Sequence, residues 1–177
     1  SYHDHNEERV APALVGRLRE GKSLALITDA GTPGISDPGF YLVRAVLQAG
    51  LRVVAIPGAT AFIPALVASG LPADRFVFEG FLPHKKGRQT RLKLLQDEAR
   101  TIIFYESPQR LERLLRELQV HLGDRPAAIA REISKKFEEI RRGTLSELIA
   151  GAEQMVKKGE FVLIVAGRPR NAKEASE

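Results

Sequence analysis

Two short apolar segments, each running into a glycine- and proline-bearing loop and then into a helical pattern, constrain this chain more than any other feature. Ser23 to Thr28 reads SLALIT and Arg52 to Ile56 reads RVVAI. Runs this short and this apolar suit strands covered on both faces. Between them, Phe40 to Ala49 carries Leu42, Val43, Val46 and Leu47 at helical spacing and stops at Gly50. After the second, Ala59 to Ser69 reads as a helix stopped by Gly70, and Arg75 to Glu79 as a third strand. Ahead of the first, Glu7 to Glu20 places Leu14, Val15 and Leu18 on one face. Asp4 or Asn6 is positioned to cap this helix, Pro12 to bend or restart its first turn, and Gly21 to end it. Alternating strands and helices predict an α/β fold with a mainly parallel sheet in this first lobe.

The loop after the first strand is the unusual part. From Asp29 to Gly39, DAGTPGISDPG holds three glycines, two prolines and two aspartates within eleven residues. Connections of this kind usually take about two to six residues. A tight turn alone needs fewer special residues. Ligands in open α/β sheets sit at the carboxyl ends of strands. Glycine lets a ligand approach backbone N–H groups, and proline limits the entropy lost on binding. The loop therefore reads as a ligand loop, with the positive end of the following helix beside it.

The second half changes character. Residues 1 to 80 hold 7 Lys/Arg and 8 Asp/Glu, a net of −1, whereas residues 81 to 177 hold 20 against 14, a net of +6. The basic half is a candidate polyanion surface, the alternative being ordinary solubilising charge. Lys85, Lys86, Arg88, Arg91 and Lys93 follow one another with no acidic residue among them. Leu92, Leu94 and Leu95 then supply a helix face, and Thr101 to Tyr105 a strand. Ser107 and Pro108 predict a helix start, with Leu111, Leu114, Leu115 and Leu118 along the helix to Val120. Pro126 to Ala130 and Phe161 to Ala166 read as strands, and Phe137 to Arg142 as the partner of an antiparallel hairpin. Thr144 with Glu147 spells a capping box. The expected organisation is an N-terminal lobe over residues 1–79, a C-terminal lobe with a mixed sheet over 80–170, and a frayed tail over 171–177.

Several classes are excluded or disfavoured. There is no cysteine, so disulfides and thiolate metal sites are absent, and the four histidines are scattered, so no metal site is predicted. Val53 to Leu71 is uncharged and long enough to suggest a membrane span, but Pro57, Gly58 and Pro64 interrupt it. The polar start SYHDHNEER shows no signal-peptide pattern. A cytoplasmic protein without membrane association is expected.

Five stretches in order carry a further inference: TDAGTPGISDPG (28–39), IPGATA (56–61), FEGFLPHKKGRQ (78–89), FYESPQR (104–110) and AREISKKFEEIRRGTL (130–145). Together they resemble the tetrapyrrole-methylase superfamily, and within it the branch that methylates a ribose 2′-hydroxyl of a cytidine in 16S ribosomal RNA of the small ribosomal subunit. The resemblance implies a two-lobed enzyme, generally a homodimer, using S-adenosyl-L-methionine. It also implies that a further strand, glycine-rich loop and helix precede the point where this sequence begins, and that without them the chain binds cofactor weakly or not at all. Methylation of a tetrapyrrole carbon, or a non-catalytic RNA-binding role, are the competing readings.

On that resemblance, Asp29, Ala30, Gly31, Thr32, Pro33, Gly34 and Asp37 form one side of the cofactor site, and Pro57, Gly58, Ala59 and Thr60 the other. Structural roles compete: Asp29 as a loop cap, Asp37 as the N-cap of the next helix, Gly58 as a turn. Glu106, His84 and Glu132 are candidate proton acceptors, with an ion pair to Arg110 as the structural alternative for Glu106. Lys135 and Lys136 are candidates for neutralising phosphate or a developing oxyanion. Lys85, Lys86, Arg88, Arg91, Arg110, Arg141 and Arg142 are the expected RNA contacts. Tyr105 or Phe81 is a candidate to stack on a displaced base, with core packing as the alternative.

Overall fold

The computed structural model describes residues 2–3 and 6–169. Asp4, His5 and the expected tail at 171–177 lie outside them. The chain divides into two compact units, Ser1–Thr60 and Ala61–Glu177.

In the first unit, α1 (Glu7–Arg19) runs unbroken through Pro12, and α2 spans Phe40–Gln48. Ala11 and Val15 of α1 and Val46 of α2 are buried. Asn6 precedes α1 but makes no side-chain cap; its Oδ1 accepts the His3 N–H instead, at 2.9 Å. A buried carboxylate organises this unit. Glu7 Oε2 accepts the Tyr2 hydroxyl at 3.0 Å and the Gly39 N–H at 3.2 Å, and the Tyr2 oxygen accepts the Leu42 N–H at 3.1 Å. Burial and the neighbouring Glu7 push the Tyr2 phenol up to about 12. The parallel sheet expected in this lobe is not formed: among the described residues of this unit, no strand is paired. Ser23–Thr28 and Arg52–Ile56 lack ladder hydrogen bonds, and Ile27, Val54 and Ile56 are exposed. A strand exists only as a member of a ladder, so apolar composition alone does not make one.

The second unit holds a five-stranded mixed sheet, ordered β1-β2-β5-β3-β4. Its strands are β1 (Phe76–Phe81), β2 (Thr101–Glu106), β3 (Pro126–Arg131), β4 (Glu139–Thr144) and β5 (Phe161–Val165). β1 and β2 are parallel; β5 lies antiparallel between β2 and β3, and β4 antiparallel to β3. The sequence places the lobe junction near residues 78 to 83, whereas those residues lie in β1 and its exit, hydrogen-bonded into this sheet.

Period-two alternation sends side chains to two cores. Ile102, Phe104, Ile129, Leu163 and Val165 face one layer, with α4 (Arg88–Leu94), α5 (Leu111–Leu122) and α6 (Leu145–Gly151). Leu111, Leu114, Leu115, Leu118 and Leu122 of α5 are buried there at helical spacing. Ile103, Ala128, Ala130, Val162 and Ile164 face the other layer under α3 (Phe62–Ser69). The capping box at α6 forms as expected, with Glu147 N–H to Thr144 Oγ1 at 3.3 Å and Thr144 N–H to Glu147 Oε2 at 2.8 Å. The start of α5 differs: Arg110 is the N-cap, and Ser107 lies in a preceding turn closed by Arg110 N–H to Ser107 O at 3.1 Å.

Where α4 runs on toward β2, Glu98 accepts the Arg100 N–H, Nε and Nη2 at 2.9, 2.8 and 2.7 Å. The Arg100 hydrogen bonds hold this carboxyl at about 2, below its ordinary 4.5. A depressed folded value contributes stability above the ordinary pKa and loses it as the carboxylate protonates. Glu98→Gln is therefore expected to flatten the acid limb of the stability–pH curve between about pH 4.5 and 2. Urea titrations of both proteins across that window measure this.

Candidate functional site

The first candidate site lies within the first unit. Thr32 Oγ1 donates to Ala59 O at 3.1 Å, which ties the 29–39 loop to the 57–60 loop. The long loop is shaped by left-handed residues: Gly31 at φ 75°, Gly34 at φ 82° and Ser36 at φ 55°. Glycine adopts such angles without penalty. A Cβ at Gly31 or Gly34 would meet no atom within 4 Å, so open space adjoins the backbone on that side. Gly39, buried at the loop's end, has no such room: its Cβ would come within 3.1 Å of Gly34 N and Leu26 Cδ2.

Asp37 does not cap α2, whose N-cap is Gly39 without a side-chain hydrogen bond. Asp29 is exposed. Thr28 Oγ1 bonds Ala30 O at 3.4 Å, and Ile35 N–H bonds Thr32 O at 3.2 Å. Ala30, Pro33, Pro57, Gly58 and Thr60 belong to the same pair of loops. The exposed Asp29 carboxylate lies on the 29–39 loop, whose glycine backbone is open on one side, a feature suited to a cationic ligand.

The second candidate site is a charge cluster at the end of β2. Glu106 is fully enclosed, and its Oε1 accepts the Ser107 N–H at 2.8 Å and lies 3.2 Å from Arg110 Nε. Its Oε2 lies 3.9 Å from Arg88 Nη2 and has no hydrogen-bond partner, because that nitrogen lies closer to Glu117 Oε2, at 2.7 Å. Arg88 is also enclosed. Its Nε reaches Glu117 Oε2 at 2.7 Å, and its Nη1 donates to Pro83 O at 3.1 Å. Arg110 Nη2 donates to Leu82 O at 2.7 Å, and its Nη1 lies 3.0 Å from His84 Nε2. Glu117, pulled below the usual carboxylate range by Arg88 and Arg113 against the opposing effect of burial, was invisible as a partner in the sequence. Its spacing from Arg113 on α5 was the only signal.

This geometry sorts the expected RNA contacts. Lys85 and Lys86 are exposed in the turn between β1 and α4 and have no ion-pair partner among the described residues. Arg88 is buried in its ion pair, so its guanidinium is not presented to solvent. Arg91 is engaged by both oxygens of Glu79, with Nη2 to Oε1 at 2.8 Å. Arg141 is held by Glu139 and by Gly151 O at 3.0 Å, and Arg142 grips Ala68 O through its Nε at 2.9 Å. Arg91 and Arg142 stay exposed while paired, and the carbonyls that hold Arg141 and Arg142 lie at helix ends, a demand that composition does not reveal.

The remaining candidates also have partners. Lys135 Nζ pairs with Glu160 at 3.0 Å and Glu132 at 3.1 Å, which raise it above the ordinary lysine value. Glu132 accepts the Glu160 N–H at 2.9 Å and is held below the usual carboxylate range, first by that bond and then by Lys135. Tyr105 packs edge-on to Phe78 at 5.1 Å and tilted against Phe81 at 5.6 Å, with burial raising its phenol. Among the described residues no cluster of three or more His, Cys, Asp or Glu could hold a metal, and no helix is long and apolar enough to cross a membrane.

A mixed α/β unit following a glycine-rich double loop defines the class: the chain belongs to the Tetrapyrrole (Corrin/Porphyrin) Methylases, whose family model matches residues 1–149. In particular, it is 52% identical over 169 residues to the ribosomal RNA small subunit methyltransferase I of Synechocystis sp., covering 94% of this chain and 61% of that protein. The chain thus spans about three-fifths of that relative's length. Among solved structures, the methyltransferase CobJ matches with a TM-score of 0.67 at 22% identity, over 94% of this chain and 74% of that one. The uroporphyrin-III C-methyltransferase of Thermus thermophilus, complexed with S-adenyl homocysteine, matches with a TM-score of 0.56 at 20% identity, over 90% of this chain and 73% of that one.

Proposed function

We propose that the complete protein uses S-adenosyl-L-methionine to methylate the 2′-hydroxyl of a cytidine ribose in 16S ribosomal RNA, acting in the cytoplasm, as a homodimer, on the small ribosomal subunit. The observation that carries this reading is the 52% identity, over 94% of the chain, to a relative named for that ribosomal RNA. The paired loops joined by Thr32 and Ala59 support the cofactor half of it, because the exposed Asp29 carboxylate and the open space beside Gly31 and Gly34 suit a sulfonium.

When bound, the cofactor supplies an electrophilic methyl group. The chain's own contribution is to place and orient. Asp29 and Asp37 supply negative charge beside the loop, and the backbone from Ala30 to Ser36 and from Pro57 to Thr60 supplies carbonyl and N–H contacts. Holding a reacting oxygen about 3 Å from its target in a fixed direction supplies much of the rate of such a transfer. On this reading neither Glu106, which is enclosed, nor Glu132, which is ion-paired, serves as a freely accessible proton acceptor. Lys85 and Lys86 provide free cations for the RNA backbone.

The test is transfer of labelled methyl by the full-length protein to small-subunit RNA, followed by nucleoside analysis. The expected product is 2′-O-methylcytidine. Label in a porphyrinoid, or none in RNA, would sink the reading. The same protein carrying Lys85→Ala and Lys86→Ala is expected to bind RNA with a shallower salt dependence, its log–log slope reduced by about 1.4 to 1.8 for two lost phosphate contacts. Filter binding across a salt series measures the slope.

A further inference from the structure

The turn Leu82–Gly87, which carries His84, Lys85 and Lys86, is fastened at its entrance by two arginines, Arg110 from beyond β2 and Arg88 from the turn's own exit. Arg110 donates to Leu82 O at 2.7 Å, and Arg88 donates to the next carbonyl, Pro83 O, at 3.1 Å. The Arg88 backbone closes the same turn, its N–H reaching Lys85 O at 3.3 Å. Both guanidinium groups converge on Glu106, at 3.2 Å from Arg110 and 3.9 Å from Arg88. The Glu106 side chain is 0% exposed, so it cannot reach a hydroxyl of a bound polynucleotide.

We propose that Glu106 is a positioning residue: through Arg88 and Arg110 it fixes the Leu82–Gly87 turn in the conformation that offers Lys85 and Lys86 to RNA phosphates. This rests on the RNA-methylating reading above. The physical basis is compensation of charge. Arg110 has Glu106 as its one carboxylate partner among the described residues, and Arg88, though held by Glu117 at 2.7 Å, faces Glu106 as well. A buried charge that loses such compensation is costly and moves toward water. A guanidinium that moves out releases the carbonyl it holds, and the turn loosens. A loose turn must then be ordered when RNA binds, which weakens binding without changing the chemistry at the methyl group.

The experiment uses the full-length protein with Glu106→Gln, Arg110→Gln, and each of these combined with Lys85→Ala and Lys86→Ala. Glu106→Gln is expected to raise KM for RNA about tenfold, to leave kcat within about threefold, and to leave cofactor affinity within about twofold. In the background without the two lysines, the same substitution is expected to add less than about twofold, because the clamp acts through them. Amide hydrogen exchange, which needs no RNA, is expected to show lost protection at residues 84–88 in Glu106→Gln. Arg110→Gln keeps Glu106 paired with Arg88 and carries the same comparison if Glu106→Gln fails to fold. A fall in kcat of a hundredfold or more at unchanged KM would identify a proton acceptor instead and overturn the proposal. Undiminished effects in the lysine-free background, or unchanged exchange in the turn, would overturn it too. An inactive wild-type protein would count against the RNA reading alone, since the exchange measurement still judges the clamp.

Discussion

Arg88→Ala is expected to destabilise the protein by about 3–5 kcal/mol, the cost of breaking a buried ion pair from one side. Arg88 is among the largest fully enclosed side chains in the chain. Its loss removes the 2.7 Å partner of Glu117, the nearest counter-charge of Glu106 Oε2, and the donor to Pro83 O. Glu117 is partly exposed and can turn to water, but Glu106 cannot. Arg88→Met, which restores most of the volume, is expected to recover only part of the loss, because the charge and the carbonyl stay unmatched. Denaturant titration of the three proteins measures both effects. A loss under about 1 kcal/mol for Arg88→Ala would show that the cluster is solvated in solution.

Gly167→Ala is the second large effect, expected at about 3 kcal/mol, the upper end of overpacking costs. A Cβ at this position would stand 2.0 Å from Ala99 O and 2.3 Å from Ala99 C, both backbone atoms. The surroundings are held on several sides and cannot yield easily. Arg168 N–H bonds Glu98 O at 2.6 Å, Ala166 N–H bonds Pro126 O at 2.8 Å, and the buried Arg125 guanidinium reaches Gln96 O at 2.6 Å and Glu98 O at 3.2 Å. Gly16→Ala, inside α1 with no atom within 4 Å of the new methyl, provides the opposite expectation: a gain of about 0.5–1 kcal/mol from helix propensity. Thermal and denaturant melts of both variants check the contrast in sign.

The elements of the second unit were legible where a local pattern sufficed. The Leu111–Leu122 stripe, the Thr144–Glu147 box and the hairpin partner of β3 all depend on residues close in sequence. The first unit shows the limit of that legibility. Ser23–Thr28 and Arg52–Ile56 have the composition of buried strands, yet strand pairing depends on a neighbour that no local pattern supplies. The long loop itself was legible in its density of glycine, proline and aspartate, and its left-handed glycines stand where the sequence places them. Its joining by Thr32 to Ala59 was not readable, because 27 residues separate the two.

Charge was the least legible property. The basic run from Lys85 to Lys93 announced a cationic surface, and composition alone counted every member equally. Tertiary structure divided the cations, leaving Lys85, Lys86 and Lys93 exposed without an ion-pair partner among the described residues, burying Arg88, and pairing Arg91, Arg110, Arg141 and Arg142 with carboxylates or carbonyl oxygens, Arg91 and Arg142 while still exposed. Chain order and side-chain chemistry determined the family, the helix faces and the glycine- and proline-rich loop, since each is written in neighbouring residues. Which cations are paired, and that Glu106 is enclosed beside two arginines, depended on burial and on partners up to 74 residues away, and only the folded chain brings those together.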